Sequence, residues 1–216
     1  MMSGTLLGSY RFHDRIPWDD DVDIIIPASQ QSRLRTIVEP LEPDYRLLAG
    51  ADGGYQWKFY LSTPAPGSHR FWFKPRNVRW PFVDVFFYEQ NSTHVWNTCP
   101  WFADEVWPLG AVFPLHRRPF GQLSLPAPCD TAATLAVNFD LGRCQARSYD
   151  HQRDGALWLS LRRPVDVDCR HLELMWPFVR RRRWIDKSGT RHVTETLWSA
   201  GGLQALHEIT LVDQCH

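Results

Sequence analysis

The residues with the clearest chemical potential are a cluster of aspartates near the start of the chain. Asp21 and Asp23 flank Val22, and three consecutive isoleucines follow at residues 24–26. Because side chains alternate between the faces of a strand, Asp21 and Asp23 point the same way while Val22 faces a core. Two carboxylates on a rigid strand suit a hard divalent cation such as Mg²⁺. Such a cation neutralises charge that develops during phosphoryl transfer.

The alternative for this pair is a solvated acidic turn, which is the usual role of acidic pairs in loops. The isoleucines argue against a loop at this position. Gathering unpaired carboxylates beside a buried strand also costs free energy unless a cation neutralises them. The pattern therefore favours a metal site.

A third acid lies in a second apolar strand. Asp84 belongs to the run at residues 83–88 and falls on the face opposite Val83 and Val85. An acid in such a strand needs a partner. We predict that Asp84 completes the metal site; the alternative is an ion pair with Arg76 or Arg79.

The segment before the acids contains two glycines. Residues 4–9 read as a small-residue turn, whose backbone amides can approach a phosphate because glycine leaves room for it. The sequence therefore places a phosphate-facing turn directly upstream of a carboxylate-bearing strand.

The remaining elements follow from hydrophobic periodicity and from turn residues. We predict a helix at residues 28–39, antiparallel strands at 45–48 and 55–61, and a hairpin within 112–128. A short helix is expected at residues 131–137.

Two motifs together resemble the LicD family. They are Gly-Thr-Leu-Leu-Gly at residues 4–8 with Arg11, and Ile-Pro-Trp-Asp-Asp-Asp-Val-Asp-Ile at residues 16–24. This family is the branch of the nucleotidyltransferase fold that includes phosphorylcholine transferases, fukutin and fukutin-related protein. The resemblance is close over residues 3–27, weaker to about residue 140, and absent beyond.

The resemblance implies an α+β fold with a nucleotidyltransferase-like mixed β-sheet core flanked by helices. We assign residues 1–145 to the catalytic core and residues 146–216 to a C-terminal extension packed on the same domain. Relatives carry a helix, and often an anchor, before the first motif. We therefore expect a chain truncated at its N-terminus, in which a membrane anchor would belong to a missing segment.

Members of the resembled family move phosphocholine or ribitol phosphate from a CDP-linked donor to a glycan hydroxyl and release CMP. The resemblance implies that Asp21, Asp23 and Asp84 hold Mg²⁺ or Mn²⁺, and that one of them can act as general base. Asp19 and Asp20 would tune the site without touching the metal. The implied phosphate-binding residues are Gly4, Thr5, Gly8, Ser9 and Arg11.

Two other functions stay open. A catalytically inactive relative that binds a glycan or a partner protein would fit the unmatched C-terminal third and the unusual segment at residues 138–142. Nucleotidyl transfer to protein or RNA, with release of pyrophosphate, is the chemistry of more distant fold relatives. Retention of all the acids favours the metal-dependent transferase.

The amino-acid composition limits the binding partners and the cellular compartment that we expect. The 24 basic and 24 acidic residues give a formal net charge of zero, so we expect no nucleic-acid partner. The five cysteines form no Cys-x-x-Cys pair, which argues against zinc and leaves one or two disulfides or buried thiols. With the glycosylation sequon at Asn91, they favour the Golgi lumen if the protein is eukaryotic; a bacterial protein would be cytoplasmic.

Overall fold

A computed structural model describes residues 1–50, 54–63, 78–146, 149–150, 155–156, 165–213 and 215. Helices and mostly antiparallel strands are mixed along these residues, which confirms the predicted α+β class. The helices are α1 (Ser3–Phe12), α2 (Gln31–Val38), α3 (Leu109–Val112), α4 (Thr131–Ala136) and α5 (Cys169–Leu172). No described helix is long and apolar enough to cross a membrane.

The strands fall into one large sheet and several small ones. The six-stranded sheet contains β1 (Val22–Pro27), β2 (Tyr45–Leu48), β3 (Trp57–Leu61), β4 (Phe82–Gln90), β5 (His94–Asn97) and β6 (Val106–Pro108). The other strands are β7 (His116–Phe120), β8 (Leu123–Ala127), β9 (Arg143–Ala146), β10 (Tyr149–Asp150), β11 (Gly155–Ala156), β12 (Val165–Asp168), β13 (Phe178–Ile185), β14 (Arg191–Trp198) and β15 (Ala205–Val212).

Strand β4 organises the large sheet. It pairs in parallel with β1 along one edge and antiparallel with β3 along the other. The register sets Asp23 opposite Asp84 across the parallel pair and Lys58 opposite Asp84 across the antiparallel pair. Because neighbouring strands lie about 4.8 Å apart, this register alone brings the three charged residues together.

Both faces of β1 are covered by apolar side chains. Ile24 and Ile26 pack on the cluster formed by Trp57, Val85 and Phe87. Ile25 lies on the other face, where it contacts two smaller clusters built from Met2, Phe86, Cys99, Val95, Trp107 and Val112. The strand is therefore rigidly held, which is what a site on its carboxylates requires.

Most of the predicted local elements are present. Residues 28–39 contain a 3-10 turn followed by helix α2. Strands β2 and β3 pair antiparallel as predicted, and β7 and β8 form the predicted hairpin. Helix α4 matches the predicted helix at residues 131–137.

The predicted turn at residues 4–9 is wrong, because these residues lie inside helix α1. Leu6, Leu7 and Phe12 give this segment an apolar face that is buried in the largest core cluster. The helix ends at His13, whose backbone has a left-handed conformation with φ of 52° and donates to the Ser9 carbonyl. Burial of the leucines outweighs the low helix propensity of the two glycines.

The C-terminal residues form an antiparallel sheet in the order β13–β14–β15, and Phe178 of β13 joins the same core cluster as α1. Two disulfides, Cys129–Cys215 and Cys144–Cys169, tie this part to the preceding chain, and Cys99 is a buried free thiol. The boundary between residues 145 and 146 stays a prediction.

Candidate metal centre

Three carboxylates converge where β1 and β4 run side by side. Asp21 lies just before β1, Asp23 is its second residue, and Asp84 is the third residue of β4. One ligand oxygen from each carboxylate lies within 4.8 Å of those of the other two. Asp23 is 9% exposed and Asp84 is 2% exposed, whereas Asp21 is half-buried. The structure therefore brings together the three aspartates that the sequence predicts.

The spacing of these oxygens suits a single hard cation. Ligand oxygens lie 2.0–2.1 Å from Mg²⁺, so two ligands on opposite sides of one ion are at most about 4.2 Å apart. The observed upper bound of 4.8 Å exceeds that distance by a few tenths of an ångström, which side-chain rotation can close. An all-carboxylate donor set is also the chemistry that Mg²⁺ and Mn²⁺ prefer. The residues fit the metal that the resemblance implies.

Electrostatics at Asp23 point the same way. Burial raises the pKa of the Asp23 carboxyl well above its usual range, and the negative charges of Asp21, Asp84 and Asp19 raise it further. Lys58 opposes this rise. A buried carboxyl crowded by like charges is stabilised in its ionised form when a cation binds beside it.

Lys58, a residue not predicted from the sequence, contacts Asp84. Its ammonium donates a short hydrogen bond to Oδ1 of Asp84. Of the two arginines considered as alternatives, Arg79 donates to the Ser62 carbonyl, and Arg76 lies outside the described residues. Like Asp84, Lys58 is a charged residue in an apolar strand and is therefore expected to have a partner of opposite charge. That the partner is Asp84 depends on strand register, which the sequence does not reveal.

The first turn of α1 lies beside the acids. The Thr5 hydroxyl accepts a hydrogen bond of 2.7 Å from the backbone amide of Asp23. A side chain at Gly4 would bring its Cβ to 2.6 Å from Oδ2 of Asp19 and 3.9 Å from Oδ2 of Asp23. Thr5 thus positions Asp23 directly, and Gly4 leaves room for the carboxylates. Their predicted role as phosphate ligands stays a prediction.

The other three residues assigned to phosphate binding are engaged by the protein itself. Gly8 packs against the backbone of residues 14–16, where a Cβ would meet the Asp14 carbonyl oxygen at 2.6 Å. The Ser9 hydroxyl donates to the Pro119 carbonyl. The Arg11 guanidinium is buried and donates to the carbonyls of Asp140, Leu141 and Arg143. All of these contacts lie within the protein, and the predicted phosphate-binding role of the three residues stays a prediction.

Tryptophans border the acidic segment. The Trp80 indole donates to the Asp20 carbonyl at 2.6 Å. Trp18 precedes Asp19 in the chain, donates to the Gln145 carbonyl, and lies edge-on to Trp176 with ring centres 6.4 Å apart. Trp176 is 39% exposed and follows the exposed residues Leu174 and Met175. We call Trp18, Trp80 and Trp176 the aromatic rim: Trp80 contacts the acidic segment directly, Trp18 adjoins that segment in the chain, and Trp176 contacts Trp18.

Comparison with known proteins identifies one family. The family model described as LicD/FKTN/FKRP, nucleotidyltransferase domain, matches residues 1–130, which contain all three aspartates, Lys58 and Thr5. No curated protein and no solved structure matches the chain.

Proposed function

The chain belongs to the LicD/FKTN/FKRP family, whose members are transferases, and we propose that it moves phosphocholine or a phospho-alditol from a CDP-linked donor to a glycan hydroxyl. The observation that carries this proposal is the convergence of Asp21, Asp23 and Asp84 at one point of a rigid sheet. Transfer of a phosphorus-containing group needs compensation of negative charge, and three clustered carboxylates can supply it by holding a divalent cation.

In this proposal each residue has a physical task. Asp21, Asp23 and Asp84 would hold Mg²⁺ or Mn²⁺, which would supply positive charge to neutralise the donor diphosphate. Thr5 fixes the backbone amide of Asp23 and so keeps β1 in place. One of the three carboxylates would accept the proton of the attacking hydroxyl, and we assign this task to Asp21, the most exposed of the three.

The aromatic rim supports a sugar as the acceptor. Indole rings present flat apolar faces with one polar N–H, and that combination suits a sugar ring, which has apolar faces and a polar edge. Trp18, which adjoins Asp19 in the chain, and Trp176, which contacts Trp18, offer such a surface. The nucleotide of the donor would occupy the side of the acids near Gly4.

We also propose that a eukaryotic form of this protein works in the secretory lumen. Two disulfides are typical of oxidising compartments. The sequon at Asn91 lies in an exposed turn, where the Asn91 side chain accepts hydrogen bonds from the backbone amides of Thr93 and His94. Both features would suit a glycoprotein of the Golgi, and a bacterial protein of this family would act in the cytoplasm.

A transfer assay tests the proposal. Purified protein is incubated with a glycan acceptor, Mg²⁺ and either CDP-choline or CDP-ribitol, and CMP release is measured with and without EDTA. We expect metal-dependent CMP release that Asp21→Ala and Asp23→Ala abolish and that the exposed control Asp104→Asn retains. Normal activity in both alanine variants would show that these residues have been misassigned.

One observation supports the alternative function, a catalytically inactive protein that binds a glycan or a partner. The family match ends at residue 130 and leaves the last 86 residues outside it. A binding protein without catalysis would release no CMP from either donor. Calorimetry with Mg²⁺ and CDP separates the two functions, because only the transferase should bind the nucleotide in a metal-dependent way.

A further inference from the structure

Lys58 is a built-in cation at the candidate metal centre. It lies in β3 directly opposite Asp84 of β4, and its ammonium contacts Oδ1 of that carboxylate. The same ammonium lies 3.7 Å from the centre of the Phe82 ring, whose face attracts cations. The Lys58 side chain is 20% exposed, whereas that of Asp84 is 3% exposed.

Charge balance links this lysine to metal binding. The Lys58 ammonium offsets part of the negative charge that Asp19, Asp21, Asp23 and Asp84 gather at this centre. Without the lysine, the like charges at this centre would repel one another more strongly. Because Lys58 and a metal bound to Asp84 are both positive and lie within a few ångströms, each disfavours the other.

A lysine at position 58, rather than an arginine, also suits a side-chain cation that can move away from Asp84. Of the 24 basic residues in the chain only three are lysines, at positions 58, 74 and 187. Arginine can bind a carboxylate through two parallel hydrogen bonds, whereas lysine carries a single ammonium on a flexible four-carbon side chain. This side chain allows the ammonium to leave Asp84 while the backbone of β3 stays paired with β4.

We propose that Lys58 is a placeholder for the divalent cation: it holds Asp84 in the metal-free protein and yields that carboxylate when the metal binds. The inference rests on the metal site of the proposed function. It makes Lys58 a positioning residue that stabilises the metal-free fold and lowers the affinity for metal.

Metal titration tests the proposal without any measurement of activity. Calorimetry with Mg²⁺ compares the unmodified protein with Lys58→Met and Lys58→Gln, and with the exposed control Lys187→Met. Removing one positive charge beside the site should tighten Mg²⁺ binding by about tenfold in both Lys58 variants, and the Lys187 control should bind as the unmodified protein does.

Thermal unfolding gives a second measurement on the same proteins. In EDTA the Lys58 variants should melt below the unmodified protein, because the Asp84 carboxylate loses its contact with the Lys58 ammonium. Added Mg²⁺ should raise their melting temperature more than it raises that of the unmodified protein. If Lys58→Met does not fold, Lys58→Gln, which keeps a polar head group, provides the comparison.

The outcomes separate this inference from the proposed function. Unchanged or weaker Mg²⁺ affinity in the folded Lys58 variants would overturn the placeholder role and leave the metal site standing. Absence of Mg²⁺ binding by the unmodified protein would overturn the metal site itself, and the placeholder role with it.

Discussion

At the scale of single residues, the centre combines side chains that the sequence reveals with others that it hides. Asp21, Asp23 and Asp84 could be predicted, because an acid in a strand of isoleucine, valine and phenylalanine is costly without a partner. Thr5 and Lys58 could not, because their roles depend on how α1 and β3 dock against the acids. The spacing of residues along one strand can be read from the sequence, whereas contacts between separate elements cannot.

Substitution of Asp23 should separate stability from metal binding. Because burial and neighbouring negative charges raise its pKa, the ionised Asp23 carboxyl destabilises the metal-free fold at neutral pH. We expect Asp23→Asn to be at least as stable as the unmodified protein in EDTA, and to lose the stabilisation that Mg²⁺ provides. Urea unfolding with EDTA and with Mg²⁺ measures both. A marked loss of stability in EDTA would contradict this view of Asp23.

Thr5 offers a test of the support behind Asp23. Thr5→Val keeps the shape of the side chain but removes the oxygen that accepts the Asp23 amide hydrogen. Leaving that buried amide without its acceptor should cost about 1–3 kcal/mol of unfolding free energy. Thr5→Ser retains the hydroxyl and should cost less, so equal losses in the two variants would show that the hydrogen bond is unimportant. Chemical denaturation provides the measurement.

At the scale of elements, the strands and the hairpin were predictable and the first helix was not. Alternation of side chains identifies β1, β3 and β4, and turn residues identify the β7–β8 hairpin. The two glycines of α1 suggested a turn, yet one of them serves close packing within a helix. Gly8 lets α1 approach the backbone of residues 14–16, and no local rule distinguishes that use of glycine from a turn.

The two glycines of α1 should respond differently to alanine. At Gly8 a Cβ would meet backbone atoms of residues 14–16 at 2.6–2.9 Å, and backbone cannot move aside cheaply. At Gly4 the contact at 2.6 Å is the end of the Asp19 side chain, which can rotate. We expect Gly8→Ala to lower the melting temperature by about 2–8 °C.

Gly4→Ala is the matched comparison. Its Cβ contact is relieved by rotation of Asp19, and alanine gains about 1 kcal/mol of helix propensity over glycine. We therefore expect little or no loss of stability. A larger loss at Gly4 than at Gly8 would contradict the packing that we describe for α1.

At the scale of the whole molecule, the C-terminal sheet is joined to the family-matched part through a buried ionic cluster. Glu195 of β14 is 1% exposed and pairs with His13 at the end of α1, with Arg118 of β7 and with Arg181 of β13. Residues so far apart in the chain give no sequence signal of contact. Within the basic run at residues 180–183, Arg181 points inward to the buried Glu195.

Substitution of Glu195 tests this link. Glu195→Gln removes the carboxylate that pairs with the buried guanidinium of Arg118 and the partly buried guanidinium of Arg181, which should cost about 3–5 kcal/mol. The exposed control Glu208→Gln should be nearly neutral. Urea unfolding of both variants makes the comparison, and a Glu195 variant as stable as the control would show that the cluster does not hold the sheet in place.

The pH dependence of stability provides a further expectation for the same variants. Burial opposes ionisation of Glu195, but the hydrogen bond from His13 and the charges of Arg181 and Arg118 outweigh it and lower its pKa to about 2 from 4.5. A carboxylate whose pKa is lower in the folded than in the unfolded protein stabilises the fold at pH values above the unfolded-state pKa. This contribution is lost as the pH falls from 4.5 towards 2. The unmodified protein should lose more stability over that window than Glu195→Gln does.

The central claim is that Asp21, Asp23 and Asp84 together hold one divalent cation, and crystals soaked in Mn²⁺ test it most directly. Anomalous scattering locates the ion without reference to activity or substrate. We predict one strong peak within bonding distance of an oxygen from each of the three carboxylates, with Lys58 moved away from Asp84. A saturated soak that shows no peak between these residues, or a peak that involves other residues instead, would contradict the account.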